Sequence, residues 1–274
     1  MEYHDDFSCI GKSMLSVFLR SRQEYYYTYI TREMPPKVVG KPGLIGNVLH
    51  AVLLEEQDFS DVVQVYPENV LKCNGDLDGK KAARHRAEFS STIFVKSKEY
   101  DYMEAVVAGV MQDRNLSALL AAESKREERI DGKVDGVDCK CKPDLLCDLG
   151  DYLACYDFKF MEDVSPGAWR RSCKRLHYWL QDAHYSAVLQ STFGKPVTFR
   201  FFCIETQFPY RVIPRWYDPA SRETARIEHR KIISDLAACY ASGDWSDVWG
   251  NVCVLEPWDI AGDGEPEVQL EEVA

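Results

Sequence analysis

Apolar positions repeat along this chain with the period of an α-helix in some segments and of a β-strand in others. Helical spacing predicts helices at Gly11–Ile30, Leu44–Gln57, Ser97–Gln112, Asn115–Ala122, Ser165–Phe193 and Asp218–Ser242. Shorter runs predict strands at Asp61–Tyr66, Ile93–Val95, Lys125–Ile130, Val197–Glu205 and Tyr210–Ile213, with a turn at Asp131–Gly136. This mixture predicts an α/β fold in which helices flank a mixed central β-sheet.

The segment Lys140–Phe160 predicts a β-hairpin within that sheet. Its two apolar runs are joined by a turn at Asp148–Asp151. Gly150 suits a positive φ in that turn. The second run ends in Asp157 and Lys159, which are two positions apart and therefore lie on one face of a strand.

Asp144, on the first strand of the hairpin, joins Asp157 and Lys159 at one end of the predicted sheet. Neighbouring carboxylates repel each other, and burial strengthens the repulsion. A hard divalent cation such as Mg²⁺ relieves it, because oxygen ligands suit that ion. The cation can polarise a phosphate oxygen, while a lysine orients the attacking water or stabilises charge at phosphorus. These residues indicate phosphodiester hydrolysis; the alternative is a solvated surface hairpin, since the Asp-x-Lys pattern is common.

Three motifs in order carry a resemblance to a known family. Pro143-Asp144 followed by Asp157-Phe158-Lys159 resembles the signature of the PD-(D/E)xK nuclease superfamily. Gly46-Asn47-Val48-Leu49-His50 resembles the helix-borne histidine motif of its RecB-type and RecE-type members, and Gln181-Asp182-Ala183-His184-Tyr185 resembles their Q-x-x-x-Y motif. The resemblance covers roughly Gly11 to Phe202 and is greatest to RecE-like (exodeoxyribonuclease VIII-like) phage exonucleases. The two aspartates are 157 − 144 = 13 residues apart, slightly more than that family leads us to expect, which a longer turn absorbs.

The resemblance implies a role for each matching residue. Lys159 would orient or activate the attacking water, and Gln181 and Tyr185 would position the substrate strand near the scissile phosphate. The ligands of Mg²⁺ or Mn²⁺ would be His50, Glu123, Asp144 and Asp157. The choice of glutamate stays open, because Glu127 and Glu128 compete with Glu123. A histidine on an apolar helix also has a simpler interpretation, as a hydrogen-bonded core residue.

The same resemblance implies a DNA exonuclease that degrades duplex ends, 5′ to 3′, in phage-type recombination. It also implies a homo-oligomer and a single-strand-annealing recombinase as partner. The alternatives are a PD-(D/E)xK endonuclease, a helicase-linked nuclease domain, or a DNA-binding module on the same scaffold that does not cut. We expect one nuclease domain over residues 1–258 and a flexible acidic tail over residues 259–274.

The net charge of −11 and the isoelectric point of about 5.1 argue against a nonspecific nucleic-acid coat protein. They do not exclude a nuclease that gathers its basic residues in one channel. The candidate DNA-binding residues are Lys80, Lys81, Arg170, Arg171, Lys174 and Arg175. The simpler interpretation of such basic runs is a solvated helix face.

No apolar run reaches the 18 residues of a membrane span, and Met1–Asp6 is too polar for a secretory signal. We therefore expect no membrane association and a cytoplasmic location, in a bacterium or a phage-infected cell. The ten cysteines contain no C-x-x-C pair and are predicted to be reduced, mostly buried thiols. The alternative is an iron–sulfur cluster on Cys9, Cys203, Cys239 and Cys253, although their spacing is not typical of one.

Overall fold

A computed structural model of the chain describes residue 3 and residues 6–34, 43–74, 76–89 and 92–247. Its helices are α1 (Lys12–Arg20), α2 (Arg22–Tyr25), α3 (Gly43–Leu53), α4 (Phe59–Val62), α5 (Gly79–Glu88), α6 (Ser97–Val110), α7 (Arg114–Ala121), α8 (Pro166–Leu176), α9 (Tyr178–Phe193) and α10 (Pro219–Ser242). Its strands are β1 (Val63–Val65), β2 (Ile93–Val95), β3 (Lys125–Arg126), β4 (Ile130–Val134), β5 (Val137–Cys141), β6 (Leu145–Asp148), β7 (Leu153–Met161), β8 (Val197–Glu205) and β9 (Val212–Arg215). The predicted tail 259–274 and the end of the predicted domain 1–258 lie outside the described residues.

The central sheet has five strands in the order β3-β6-β7-β8-β9. Strands β7 and β8 run parallel, and the other neighbours are antiparallel. Helices α8 and α9 form the connection between the two parallel strands. The predicted α/β fold with a mixed sheet flanked by helices is confirmed. Two small pairs, parallel β1–β2 and antiparallel β4–β5, lie outside this sheet.

The predicted hairpin is formed by β6 and β7. Their antiparallel register pairs Leu145 with Tyr156 and Asp148 with Leu153. Gly150 has φ +84° in the turn, where a residue with a Cβ would be strained. The hairpin thus forms for the local reasons that predicted it: two apolar runs and a glycine at the required position.

The two faces of β7 contact different parts of the core. Leu153 and Cys155 belong to the hydrophobic cluster that includes Leu189 of α9. Phe158 faces the other way and belongs to a second cluster, with Leu49 of α3. Fully burying one such apolar side chain contributes about 1.5–3 kcal/mol. Because side chains alternate along a strand, Asp157 lies on the α9 face with Cys155.

The predicted turn at Asp131–Gly136 is wrong for most of its length. Residues 130–134 form β4, and only Asp135 and Gly136 form the turn to β5, with φ +48° and +85°. The burial of Ile130 and Val134 explains the difference, since their apolar contacts hold this polar segment in a strand. Positive φ at both turn residues is the geometry of a tight two-residue hairpin.

Two predicted continuous helices are interrupted. The segment Ser165–Phe193 divides into α8 and α9 at His177, which has φ +52°. The segment Gly11–Ile30 is broken at Ser21, whose extended backbone and hydroxyl cap the next helix by accepting the Glu24 amide. Neither residue is a glycine or proline, so apolar periodicity alone does not reveal the breaks.

Candidate active site

The hairpin brings the two predicted aspartates together. Leu145 pairs with Tyr156, so Asp144, one residue before β6, comes beside Asp157 of the neighbouring strand. The backbone N–H of Phe158 donates to Asp144 Oδ2 over 2.5 Å. This bond fixes the Asp144 carboxylate against the end of β7.

Lys159, Asp157 and Gln181 form a second, buried set of contacts. The Lys159 ammonium pairs with the Asp157 carboxylate and donates to Gln181 Oε1 over 2.9 Å. The Gln181 amide in turn donates to Asp157. The ammonium also lies 4.8 Å from the centre of the Tyr178 ring, where a cation is attracted to the aromatic face. Strand β7 and helix α9 therefore hold Lys159 from two sides.

A third set brings His50 to the carboxylates. One ligand atom from each of His50, Glu127 and Asp144 lies within 4.8 Å of the others. His50 Nε2 is 2.9 Å from Glu127 Oε1, and the ammonium of Lys142 pairs with the other Glu127 oxygen. Glu127 has φ +50°, a conformation that costs free energy for a residue with a Cβ. That strained backbone directs the Glu127 side chain to His50.

The electrostatics of these carboxylates suit a bound cation. Burial, followed by the charge of Asp157, raises the pKa of Asp144 well above its usual value. Burial also acts to raise the pKa of Glu127, but the hydrogen bonds from His50 and Lys142 outweigh it and lower that pKa. The hydrogen bond to Glu127 raises the pKa of His50. Burial and the charge of Asp157 both hold Asp144 towards its neutral form, and a divalent cation would favour the charged form instead. The two carboxylates are oxygen ligands that suit Mg²⁺ or Mn²⁺, and the His50 imidazole adds one nitrogen ligand.

The charge of Lys159 is also determined by its surroundings. Burial acts to lower the pKa of this lysine, but the charges of Asp157 and Asp144 outweigh burial and raise it. Lys159 is therefore an ammonium at neutral pH. It can donate hydrogen bonds and stabilise negative charge, but it holds its own proton.

Glu127, and not Glu123, occupies the place beside His50. Glu123 is exposed after α7 and is not part of the His50–Glu127–Asp144 group. Glu128 is also exposed and pairs with Lys125. Glu127 follows β3, which pairs with β6, and its N–H donates to the Asp144 carbonyl over 3.4 Å. This long-range strand pairing decides among the three glutamates.

Asp157 and Tyr185 have contacts that their motifs did not reveal. Asp157 adjoins Asp144 but is not in the group of three, and its carboxylate contacts Lys159 and Gln181. Tyr185 is buried, and its hydroxyl donates to the Lys142 carbonyl over 3.3 Å. Tyr185 thus supports the backbone immediately before the Pro143-Asp144 motif.

The candidate basic residues separate into two groups. Helix α8 places Arg171 and Arg175 on a cleft of about 1780 Å³ that is also lined by Asp144, Asp157 and Lys159. The predicted DNA-binding residues that do not line this cleft are Lys80, Lys81, Arg170 and Lys174. The cleft residues that motif analysis missed include Lys142 and Lys96. Only their position in the folded chain could have identified them.

The described part of the chain has free cysteines and no helix that could span a membrane. The nine described cysteines are free thiols, and the metal-ligating group found in the described part of the chain contains no cysteine. Cys253 of the alternative cluster lies outside the described residues. None of the described helices is long and apolar enough to cross a membrane.

Comparison with known proteins supports the domain type and the fold. A family described as "PDDEXK-like domain of unknown function (DUF3799)" matches residues 13–254. No curated protein matches the chain. A crystal structure described as a "Putative exonuclease" from Eubacterium rectale is 11% identical, with a TM-score of 0.62 over 96% of this chain and 98% of that one. The crystal structure of SSO0001 is 12% identical, covers 72% of this chain and 88% of that one, and has a TM-score of only 0.28.

Proposed function

Because the chain belongs to the PDDEXK-like domain family, we propose that it is a metal-dependent deoxyribonuclease that hydrolyses phosphodiester bonds. The observation that supports this most directly is the meeting of Asp144, Asp157 and Lys159 with His50 and Glu127 on one cleft. The sequence motifs contain His50, Asp144, Asp157 and Lys159. Glu127 lies outside the motifs and follows β3, which pairs with β6.

The proposed cation ligands are His50, Glu127 and Asp144, with Mg²⁺ or Mn²⁺ as the ion. When bound, such an ion supplies charge neutralisation at a phosphate oxygen and acidifies a water. Asp157 stays a predicted fourth ligand. Its contacts with Lys159 and Gln181 also give it a role without metal, since it holds the ammonium in position.

Lys159 supplies the positive charge of the proposed mechanism. As an ammonium, it can donate a hydrogen bond to the attacking water or to a phosphate oxygen as negative charge develops at phosphorus. Gln181 limits the positions available to that ammonium, because it accepts one of its hydrogens. A preorganised donor of this kind stabilises the transition state more than the ground state.

The proposed substrate is DNA, and the proposed activity is exonucleolytic attack on duplex ends, 5′ to 3′. Its support is the resemblance of the motifs to RecE-like exonucleases and the description of the Eubacterium rectale protein. Arg171 and Arg175 on the cleft suit a polyanion. A homo-oligomer and a recombinase partner belong to the same proposal. A PD-(D/E)xK endonuclease and a non-cutting DNA-binding module are the competing functions.

Digestion of a linear duplex labelled at one 5′ end tests the proposal. We expect Mg²⁺ or Mn²⁺ to support loss of the linear DNA, EDTA to stop it, and closed circular DNA to survive. Early release of the label would establish 5′ to 3′ polarity. The Lys159→Met variant should lose about 10²-fold or more in rate. Lys195→Met is the matched control, because Lys195 pairs with Asp148 at the other end of the hairpin.

Each competing function predicts a different result. Cutting of the closed circle would replace the exonuclease with an endonuclease. Binding of DNA without cutting under either metal would leave the DNA-binding module. Equal loss in the Lys159 and Lys195 variants would show that Lys159 has no special part in the reaction.

A further inference from the structure

One wall of the cleft has no part in the proposed chemistry. It is built by the segment from β1 to α6, and we call it the arginine wall. The wall includes Tyr66, Arg86, Phe94 and Lys96. The three sequence motifs all come from other elements, so a contact between this wall and a substrate would lie away from Lys159 and the clustered carboxylates.

The guanidinium of Arg86 is held in a fixed orientation. Its Nη1 donates to the Tyr66 hydroxyl over 2.6 Å. Tyr66 is only 5% exposed, and its ring packs 5.5 Å from that of Phe94. The hydroxyl therefore cannot follow a moving arginine, and one end of the guanidinium stays in place. The remaining N–H groups form the fork that suits a phosphate.

Arg86 also keeps its positive charge available. Within the described part of the chain it makes no ion pair, and the same holds for Arg171 and Arg175 on the cleft. Arginines without an ion pair are unexpected in a protein with 44 acidic and 33 basic residues, because carboxylates are in excess. Arg84 shows the contrast on the same helix, since it pairs with Glu88 over 3.3 Å and does not line the cleft.

Two other charged side chains of this wall, Glu99 and Lys96, line the cleft with Arg86. Glu99 lines the cleft, but its carboxylate accepts the Lys96 backbone N–H over 3.0 Å as part of a helix cap. The ammonium of Lys96 makes one long contact of 3.5 Å with Asp76, and both side chains are exposed. Such an exposed pair contributes little and leaves the lysine able to meet an anion.

We propose that Arg86, oriented by Tyr66, binds a backbone phosphate of the DNA strand in the cleft, other than the phosphate that is cut. The identity of the polyanion rests on the proposed function. The contact is independent of base sequence, because a phosphate carries no base information. Arg86 is then the residue of α5 that touches substrate, whereas Lys80 and Lys81 of the same helix do not line the cleft.

The test compares Arg86→Gln with Arg84→Gln, which removes the same charge from the same helix. Binding of the full-length protein to a fluorescein-labelled duplex is followed by anisotropy in EDTA, at several salt concentrations. We expect Arg86→Gln to weaken binding about 5- to 10-fold and to reduce the salt slope by about one. Arg84→Gln should leave both close to the wild type.

Tyr66→Phe tests the positioning role. It removes only the hydroxyl, so it should weaken binding by a smaller factor and should add nothing to Arg86→Gln in a double variant. Thermal melts monitored by circular dichroism check that each variant is folded. Equal effects of the Arg86 and Arg84 variants, or additive effects of the Tyr66 and Arg86 variants, would overturn the proposal.

The wall and the nuclease can fail separately. Wild-type protein that binds DNA through Arg86 but never cuts it would support the phosphate contact of Arg86 and overturn the proposed nuclease function. Metal-dependent cutting by the wild type, together with unchanged DNA binding by Arg86→Gln, would support the nuclease function and overturn the phosphate contact of Arg86. Absence of any DNA binding by the wild type would overturn the phosphate contact of Arg86.

Discussion

At the residue scale, the site depends on one side chain that both donates and accepts. Gln181 accepts from the Lys159 ammonium and donates to the Asp157 carboxylate at the same time. A glutamate there could not donate to Asp157, and a lysine could not accept from Lys159. The amide is thus the residue type that connects a buried cation and a buried anion without adding charge. Gln181 is itself only 7% exposed.

Gln181→Leu should therefore reduce the proposed nuclease activity by way of Lys159. The variant keeps the volume of the side chain but leaves Asp157 without one donor and Lys159 without one acceptor. We expect kcat to fall about 10²-fold with little change in KM, because the change affects transition-state stabilisation more than DNA binding. Steady-state kinetics on the linear duplex measure both constants.

Gln190→Leu is the control for that experiment, since Gln190 lies on the same helix and is exposed. It should keep wild-type kinetics. A Gln181→Leu enzyme with unchanged kcat would show that the amide is only a structural contact.

At the element scale, strand β4 and helix α9 approach each other closely at Gly132. A Cβ built there would lie 2.6 Å from the hydroxyl oxygens of both Ser191 and Thr192, and 3.0 Å from the Val188 carbonyl oxygen. The carbonyl belongs to the α9 backbone and cannot move aside. The contact matters for the site, because α9 also carries Gln181.

Gly132→Ala should destabilise the protein by about 1–3 kcal/mol, the usual cost of forcing an extra group into a packed contact. Equilibrium urea unfolding measures the change. Gly79→Ala is the matched control, because no atom lies within 4 Å of a Cβ at that position. It should be neutral or slightly stabilising, since alanine favours a helix more than glycine does. If the two variants had equal stability, β4 and α9 would not be in tight contact.

At the scale of the whole molecule, a buried pair of histidines connects three elements. His184 Nε2 is 3.0 Å from the Lys140 carbonyl oxygen of β5, and its Nδ1 is 3.1 Å from His229 Nε2 of α10. A carbonyl only accepts, so Nε2 of His184 donates, and the neutral ring then accepts from His229 at Nδ1. A proton added to His184 would place two N–H groups against each other. Burial lowers the pKa of His184 to about 4 and that of His229 to about 3.

Because of this pair, the free energy of unfolding should decrease as the pH falls. An unfolded histidine takes up a proton near pH 6.5, whereas folded His184 stays neutral until about pH 4. The unfolded chain binds more protons between these values, so the contribution is full above about pH 6.5 and is lost as the pH falls towards 4. At pH 5 the loss is about 2 kcal/mol for one histidine.

Urea unfolding at pH 7 and pH 5 measures that loss. His229→Gln should show a shallower pH dependence than the wild type, because it removes one of the two titrating groups. His85→Gln, which lies outside the pair, should keep the wild-type difference. The same pH dependence in all three proteins would show that the pair does not contribute.

The sequence predicted the fold class, and it indicated the residues at the centre of the candidate site, for local reasons. Two apolar runs, a turn with a glycine, and a strand that ends in Asp157 and Lys159 are all contained between residues 140 and 160. The hairpin of β6 and β7 needs nothing else to bring Asp144 beside Asp157. The motif around Gln181 likewise predicted a residue that the structure places against Lys159.

The tertiary structure alone decided which residues from distant segments complete the site. Glu127, rather than Glu123, meets His50 because β3 pairs with β6 and a left-handed backbone turns its side chain inward. The break at His177 and the selection of Arg171 and Arg175 for the cleft follow from how helices pack on the sheet. Periodicity and motifs describe what neighbouring residues share, whereas these outcomes depend on distances between elements that only the packed core sets.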